Sequence, residues 1–329
     1  MASATDNVTT IPAIGMCFDR GYPAAAIREF AERLERDGLD ELWIIEDCFY
    51  TAGISLAATA LARTERLRVG LGILPAVGRT AAITAMELAT LAELAPGRLL
   101  AGIGHGVQEW MAQMGARTKT PVNTLEEVIV NVKRLLNGEE VTFAGKHVTL
   151  DRVKLDAPPA KIPLVLSGVR GPKSLAMSGL VADGLVLAEC TSPAAVRQAR
   201  EQAGRPESSF HVVVFAPLCV MPNRKDAYQV MAPMLAGLID QQVPALRANE
   251  FYDDMAARYK SNGTDGLASM PAEWWTELGP IGTLDDAIAH VHAVGEAGAQ
   301  SVAFFPGRSY AAASQQHAQA AAIHRALTP

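Results

Sequence analysis

Four apolar runs in this sequence end in residues able to bind or react. The third is the most pointed: Gly102-Ile103-Gly104-His105-Gly106-Val107-Gln108-Glu109-Trp110 sets one imidazole among three alternating glycines. Glycines at Gly104 and Gly106 keep the backbone thin enough for a flat ring or a phosphate to come close, and His105 can donate, accept or shuttle a proton near neutral pH. A histidine between glycines at the end of an apolar run is harder to explain as core filler than one on an apolar helix face, so His105 is the first catalytic candidate. The fourth run ends in Ser167-Gly168-Val169-Arg170-Gly171-Pro172-Lys173-Ser174 and leads straight into a helical pattern. Glycines, a proline suited to a first helical turn, free amides at the helix start and the charges of Arg170 and Lys173 together describe an anion site. The alternative is a plain helix cap with solvated charges.

The other two runs are less specific. Ile45-Glu46-Asp47-Cys48 presents two acids and a thiol, read either as site groups or as a helix cap and an ion pair; Asp47 is kept as a catalytic and binding candidate. Gly72-Ile73-Leu74-Pro75 places a glycine where the backbone could approach a ligand, or simply turn. Glu189, at the end of a further run, either faces a cavity or pairs with a neighbour. His290, His292, His317 and His324 lie on helical patterns without HExxH or other ligand spacing, so no metal is implied.

These residues need a scaffold that brings strand ends together. Apolar runs at Ala13–Phe18, Glu41–Glu46, Arg68–Gly72, Leu99–Gly104, Leu164–Ser167, Gly184–Ala188, Val212–Met221 and Ser301–Pro306 alternate with helical stretches such as Tyr22–Asp37, Ser55–Arg63, Ala81–Ala95, Leu125–Asn137, Pro172–Val181, Pro193–Ala203 and Leu284–Glu296. Eight βα units predict a single α/β domain, a closed (β/α)₈ TIM barrel whose ligand site lies at the carboxyl ends of the strands. A doubly wound open sheet shares the alternation, but eight strands without a break favour closure, and no GxGxxG follows the first strand. Two insertions stand out. Val141–Leu155 alternates about Ala144-Gly145-Lys146 and predicts a β-hairpin. Asn223–Pro280 carries two helical patterns and the turn-rich Ser261–Gly266, and reads as a cap.

Bulk properties narrow the partners. Among 329 residues, 49% are hydrophobic and 19% charged, enough for a large core and too mixed for disorder. A net charge of -6 offers no basic field for nucleic acid or anionic lipid, and no run approaches the about eighteen apolar residues of a membrane helix. The polar start Met1–Thr10 lacks the pattern of a secretory signal, so a cytoplasmic location is expected. Cys17, Cys48, Cys190 and Cys219 are scattered, without a CxxC pair, and read as free thiols.

From about Gly15 to Gly307 the chain resembles the luciferase-like flavin and F420 oxidoreductases, and in particular their methylenetetrahydromethanopterin reductase-like branch. The likeness rests on Val69-Gly70-Leu71-Gly72-Ile73 followed by Ala82-Ile83-Thr84-Ala85 and Ala89-Thr90-Leu91, on Gly97-Arg98 leading to Gly102-Ile103-Gly104, on the Gly171-Pro172-Lys173 turn, and on Ala182-Asp183-Gly184. It implies a non-prolyl cis peptide at Gly72-Ile73, forming a bulge behind the cofactor ring. It also implies that Asp47 and the loop His105–Gln108 line a deazaflavin pocket, and that Arg170, Gly171, Lys173 and Ser174 hold the phosphate-bearing tail. Gly104, Gly106, Gly168 and Pro172 complete the expected contacts. Two departures concern chemistry: Cys48 stands where sugar-phosphate and alcohol dehydrogenases of the family carry a histidine, and His105 where they carry a glutamate, which tells against sugar-phosphate oxidation.

The resemblance therefore implies hydride transfer between coenzyme F420 and a small organic substrate; from its own setting at the strand end, His105 is the candidate to move the proton, with Asp47 and Glu189 as partners. An FMN-dependent monooxygenase is the alternative within the fold, and a non-catalytic flavin-binding barrel the alternative outside enzymes. A homodimer through the Ala- and Leu-rich helix Ala81–Ala95 is one reading of that helix; burial on the barrel wall is the other.

Overall fold

The structure is a computed structural model that describes residues 11–328; the polar start Met1–Thr10 lies outside the described residues. Twelve strands run β1 (Ala13–Phe18), β2 (Glu41–Ile44), β3 (Arg68–Pro75), β4 (Leu99–Gly104), β5 (Val141–Ala144), β6 (Thr149–Val153), β7 (Leu164–Gly168), β8 (Gly184–Leu187), β9 (His211–Pro217), β10 (Cys219–Val220), β11 (Ile281–Gly282) and β12 (Ser301–Phe305). Eight of them close a parallel barrel in the order β1-β12-β9-β8-β7-β4-β3-β2. Closure is made by β1, which pairs Ala13 with Ser301 of β12 on one edge and Gly15 with Glu41 of β2 on the other. Strands covered on both faces read as nearly continuous apolar runs, and β2 and β4 are buried throughout, with Glu41 the one charged residue among them.

Three hydrophobic clusters follow from this layering. Trp43, Leu100, Leu166, Val213 and Phe215 fill the barrel interior. A larger cluster joins the outer strand faces to helices such as Ile27–Arg36, whose Ile27, Phe30, Ala31 and Leu34 form the buried stripe. The barrel floor is polar and satisfied. Fully buried Glu41 takes Arg68 at 2.6 Å, accepts from Ser301 Oγ at 2.8 Å and from Trp43 Nε1 at 2.7 Å. Burial pushes its carboxyl up, and Arg68 opposes the shift.

Departures from the expected elements have local causes. The first helix follows a 3₁₀ turn at Ala24–Ala26 and starts at Ile27, after Pro23. Strand β3 runs on to Pro75 through a register shift between Leu71 and Leu74. The run Val212–Met221 splits in two where Pro217, which has no amide to donate, ends the barrel ladder; β10 then pairs with β11 outside the barrel. The hairpin β5–β6 is antiparallel, and the Glu127 carboxylate holds its tip by accepting from the amides of Lys146, His147 and Val148 at 3.0, 2.8 and 2.9 Å.

The segment between β10 and β11 holds four helices, Arg224–Asp240, Pro244–Arg247, Tyr252–Ala268 and Ala272–Leu278, where two patterns were expected. The turn-rich stretch lies inside the third, at a kink where Asn262 and Gly263 leave helical geometry. These helices have a core of their own, centred on the stacked rings of Tyr228 and Trp275, 4.9 Å apart. The helix Ala81–Leu94 buries Ala85, Leu88 and Ala92 on the barrel wall and leaves Ile83, Met86 and Leu94 exposed.

One buried group gives the fold a pH response. His290, wholly buried on the helix Leu284–Glu296, donates from Nδ1 to the Thr276 carbonyl at 2.7 Å, and burial lowers its pKa to about 4. Its unfolded counterpart titrates near 6.5, so the unfolded chain binds more protons between those values. Stability from this group is complete above about 6.5 and falls as pH drops towards about 4. His290→Asn, which keeps a donor without a titration, should flatten the fall of Tm over that window; an unchanged slope would show that His290 does not contribute.

Candidate active site

The carboxyl ends of β1, β2, β3, β4, β7 and β8 converge on one mouth. Two neighbours at the end of β2 part company there. Glu46 is taken up structurally: it binds Arg79 at 2.6 and 2.9 Å and accepts from Gly53 N at 2.7 Å, at the start of the helix Gly53–Arg63. Asp47 turns towards β1 and pairs with Arg20. The Arg20 guanidinium also lies over the Tyr50 ring at 4.9 Å and the Trp110 ring at 5.6 Å, so loops after three strands meet on one cation. Burial pushes the Asp47 carboxyl up, Arg20 pulls it down, and Asp19 and Glu189 raise it again, leaving it above its ordinary value. Glu189 is thus near enough to act on Asp47, and also on the buried Cys17 thiol.

His105 belongs to another part of the mouth. Its Nε2 lies 3.1 Å from Oγ of Ser174, which is buried in the first turn of the helix Pro172–Val181. Nδ1 is buried without a hydrogen-bond partner. Burial pushes the imidazole below its ordinary value, and the nearby Pro121 carbonyl offsets this only in part. Gln108 reaches the carbonyls of His105 and Gly106 at 3.4 Å each. No hydrogen bond or ion pair among the described residues joins His105 to Asp47 or Glu189, so the three expected catalytic candidates share a mouth but not a network.

The anion turn has the predicted local form. Gly171 caps the helix with φ +85°, a conformation that glycine adopts without strain, and Pro172 fills the first helical position. A side chain at Gly171 would meet nothing within 4 Å, so the turn is open to approach. Arg170 and Lys173 are exposed and carry no ion pair among the described residues. Unclaimed amides, two cations and the Ser174 hydroxyl fit a phosphate.

The glycines near His105 are closely packed on their side-chain side. A Cβ on Gly102 would lie 2.9 Å from Ile73 Cγ2, on Gly104 2.7 Å from Ile73 Cδ1, and on Gly168 2.6 Å from Ile73 Cγ2. Their side-chain space is filled by Ile73, which reaches in from β3, and at Gly102 and Gly104 also by the Leu71 and Gly168 carbonyls. Gly106, at φ +68°, faces Met111 and Pro75 in the same way. The Gly72-Ile73 peptide is cis, as the resemblance implied, and so is Cys48-Phe49, which the sequence reading did not anticipate. Arg20, Tyr50 and Trp110 were also missed. The available signal was position: Asp19-Arg20 directly follows the first strand, as Asp47 follows the second.

A closed parallel barrel with an open, cationic helix start and titratable groups at the carboxyl ends of its strands defines an enzyme scaffold of the TIM-barrel class. Residues 9–301 match the family described as luciferase-like monooxygenase, and the chain belongs to that family. The 5,10-methylenetetrahydromethanopterin reductase of Methanolobus tindarius is 31% identical over 238 residues, 69% of this chain and 72% of the relative. The coenzyme F420-dependent tetrahydromethanopterin reductase of Methanopyrus kandleri superposes with a TM-score of 0.75 at 18% identity, over 95% of this chain and 97% of that one. The FMN complex of the oxygenating constituent of 3,6-diketocamphane monooxygenase from Pseudomonas putida superposes at 0.73 with 16% identity, over 97% and 98%. No described helix is long and apolar enough to cross a membrane, and no cluster of His, Cys, Asp and Glu among the described residues could hold a metal ion.

Proposed function

We propose that this chain is an oxidoreductase that transfers a hydride between coenzyme F420 and a small organic substrate. The observation that carries the reading is the contact of His105 with Ser174, which sets a titratable imidazole against an open, cationic anion turn at the active end of the barrel. The sequence relationship to a 5,10-methylenetetrahydromethanopterin reductase and the likeness of fold to a coenzyme F420-dependent tetrahydromethanopterin reductase point the same way. F420, when bound, supplies or accepts the hydride at ring C5.

The chain's own residues do the rest. Lys173, Arg170, Ser174 and the amides after Gly171 hold the phosphate. Ile73 and the Gly72-Ile73 backbone support the ring from β3, and the loop His105–Gln108 borders it. His105, kept neutral near pH 7 by burial, takes or returns the substrate proton. Asp47, tied to Arg20, and Glu189 give the opposite rim a negative field. The helical segment after β10 is proposed as a cap that excludes water and selects the substrate.

Equilibrium binding of F420 and FMN, measured side by side on the purified protein, tests this directly. Tighter binding of F420 is expected, with steady turnover once an acceptor is found. Preference for FMN would move the chain to oxygen chemistry, and binding without turnover of any acceptor would reduce it to a flavin-binding barrel.

A further inference from the structure

Arg20 is a cation of the mouth to which the hydride-transfer reading gives no task beyond its pairing with Asp47. It stands in a turn that the fold fixes on both sides. Asp19, buried just before it, accepts from Gly21 N at 2.8 Å, and Tyr22, buried just after it, donates to the Gly307 carbonyl in the loop after β12. The Arg20 side chain leaves this anchored turn and meets groups on two other loops. Asp47, after β2, takes Nη1. Tyr50, on the same loop, and Trp110, in the short helix Gln108–Gln113 after β4, bring their ring centres to 4.9 and 5.6 Å from the guanidinium carbon.

Those two loops have little else to hold them there. Phe49 and Tyr50 are 66% and 57% exposed, and Val107 and Met114, at the two ends of the short helix, are exposed as well. Met111 is the one buried residue of that helix. A guanidinium offers a plane to ring faces and N–H groups to a carboxylate at the same time, which an ammonium does not. Charge makes the same residue decisive for Asp47. The charged groups acting on its carboxyl are Arg20 and the acids Asp19 and Glu189, one cation against two anions. Its chain neighbours bring no second cation: Glu46 is bound by Arg79, and burial together with Glu46 and Asp47 pushes the Cys48 thiol up, so it stays a thiol near neutral pH. Without Arg20, three carboxylates would share this rim, and like charges drive a proton onto one of them.

We infer that Arg20 is a positioning residue of the reaction: it staples the loops after β2 and β4 to the anchored turn after β1 and keeps Asp47 among them as a hydrogen-bond acceptor. Its part in the reaction rests on the hydride-transfer reading; the staple itself does not.

The test begins with the unliganded protein and so does not depend on the cofactor. Hydrogen exchange is read by NMR at the amides of positions 50, 111 and 114, each hydrogen-bonded within its own loop, in wild type, Arg20→Met, Arg20→Lys and Tyr50→Leu. The Asp47 carboxyl is titrated in the same proteins by carbon NMR, its signal assigned by its loss in Asp47→Asn. In Arg20→Met the three amides should exchange about tenfold faster with the barrel strands unchanged, the size expected when two ring contacts and a half-buried ion pair go together. The Asp47 titration should move upwards. Arg20→Lys keeps the charge and loses the plane, so Asp47 should titrate near its wild-type value while exchange stays fast. Tyr50→Leu should speed exchange at position 50 and leave the Asp47 titration in place. Wild-type exchange at all three amides in Arg20→Met, or an Asp47 titration indifferent to the loss of Arg20, overturns the inference. If Arg20→Met loosens the whole barrel, Arg20→Lys and Tyr50→Leu decide, and wild-type exchange in both overturns it. With F420 and an acceptor, KM should then rise about tenfold in Arg20→Lys while the Asp47 limb of the pH profile stays in place; in Arg20→Met that limb should move to higher pH. Failure of F420 to bind any of these proteins would sink the cofactor reading and leave the staple to the exchange and titration results.

Discussion

Lys173→Glu should weaken F420 binding by about a hundredfold while leaving the melting temperature near that of the wild type. A hydrogen bond to a charged group contributes about 1.5–3 kcal/mol, and each 1.4 kcal/mol is tenfold in affinity, so losing the ammonium and placing a carboxylate against the phosphate reaches that size. The fold should survive because Lys173 is exposed and carries no ion pair among the described residues. The deazaflavin riboside, which lacks the phosphate, should bind wild type and variant equally. That contrast separates a lost phosphate contact from a disturbed ring site: equal weakening of both ligands would mean the helix start had moved, and unchanged F420 affinity would remove the turn from the cofactor site.

The second large effect concerns His105. His105→Ala should lower kcat by at least about a hundredfold, the lower end of what a positioned acid or base contributes, with F420 affinity nearly unchanged. The pH profile sharpens the test. Burial holds the imidazole below its ordinary value, so the neutral form persists as pH falls and is lost only on the acidic side of 6.5. In the direction that removes a proton from the substrate, wild-type activity should therefore hold down to that point and then fall; the variant should lack this limb. A loss of affinity at constant kcat would make His105 a contact and nothing more. A parallel Asp47→Asn profile is informative because Asp47 and His105 share no hydrogen bond: independent effects are expected, roughly additive in free energy.

Much of the site was legible because its signals are local. The form of the turn at Gly171 was readable since glycine, proline and a helix start lie within a few residues, and local chemistry alone produces the Gly171 cap at φ +85°. The assignment of Glu46 and Asp47 was not. Adjacent residues at a strand end point to opposite sides, and only their partners, Arg79 and Arg20, show which faces the mouth. The packing of the glycines around His105 was hidden for the same reason: sequence reveals missing side chains but not that Ile73, about thirty residues before Gly102, lies against them.

By itself the sequence determined the eight apolar runs, the bounds of helices such as Pro172–Val181, Pro193–Ala203 and Leu284–Glu296, the hairpin, and the positions at which chemistry gathers. Hydrophobic period, prolines at first turns and helix caps act over a few residues, so they are written in order along the chain. Tertiary structure alone decided the closure of β1 onto β12, the floor pair in which Ser301 donates to Glu41 across 260 residues, the Arg20 cluster, and the concavity that brings the loop after β3 against the hairpin tip. Each of these depends on which distant surfaces meet. A periodic pattern states that a face must be buried, but not against what, and the partner is chosen by the packing of the whole barrel.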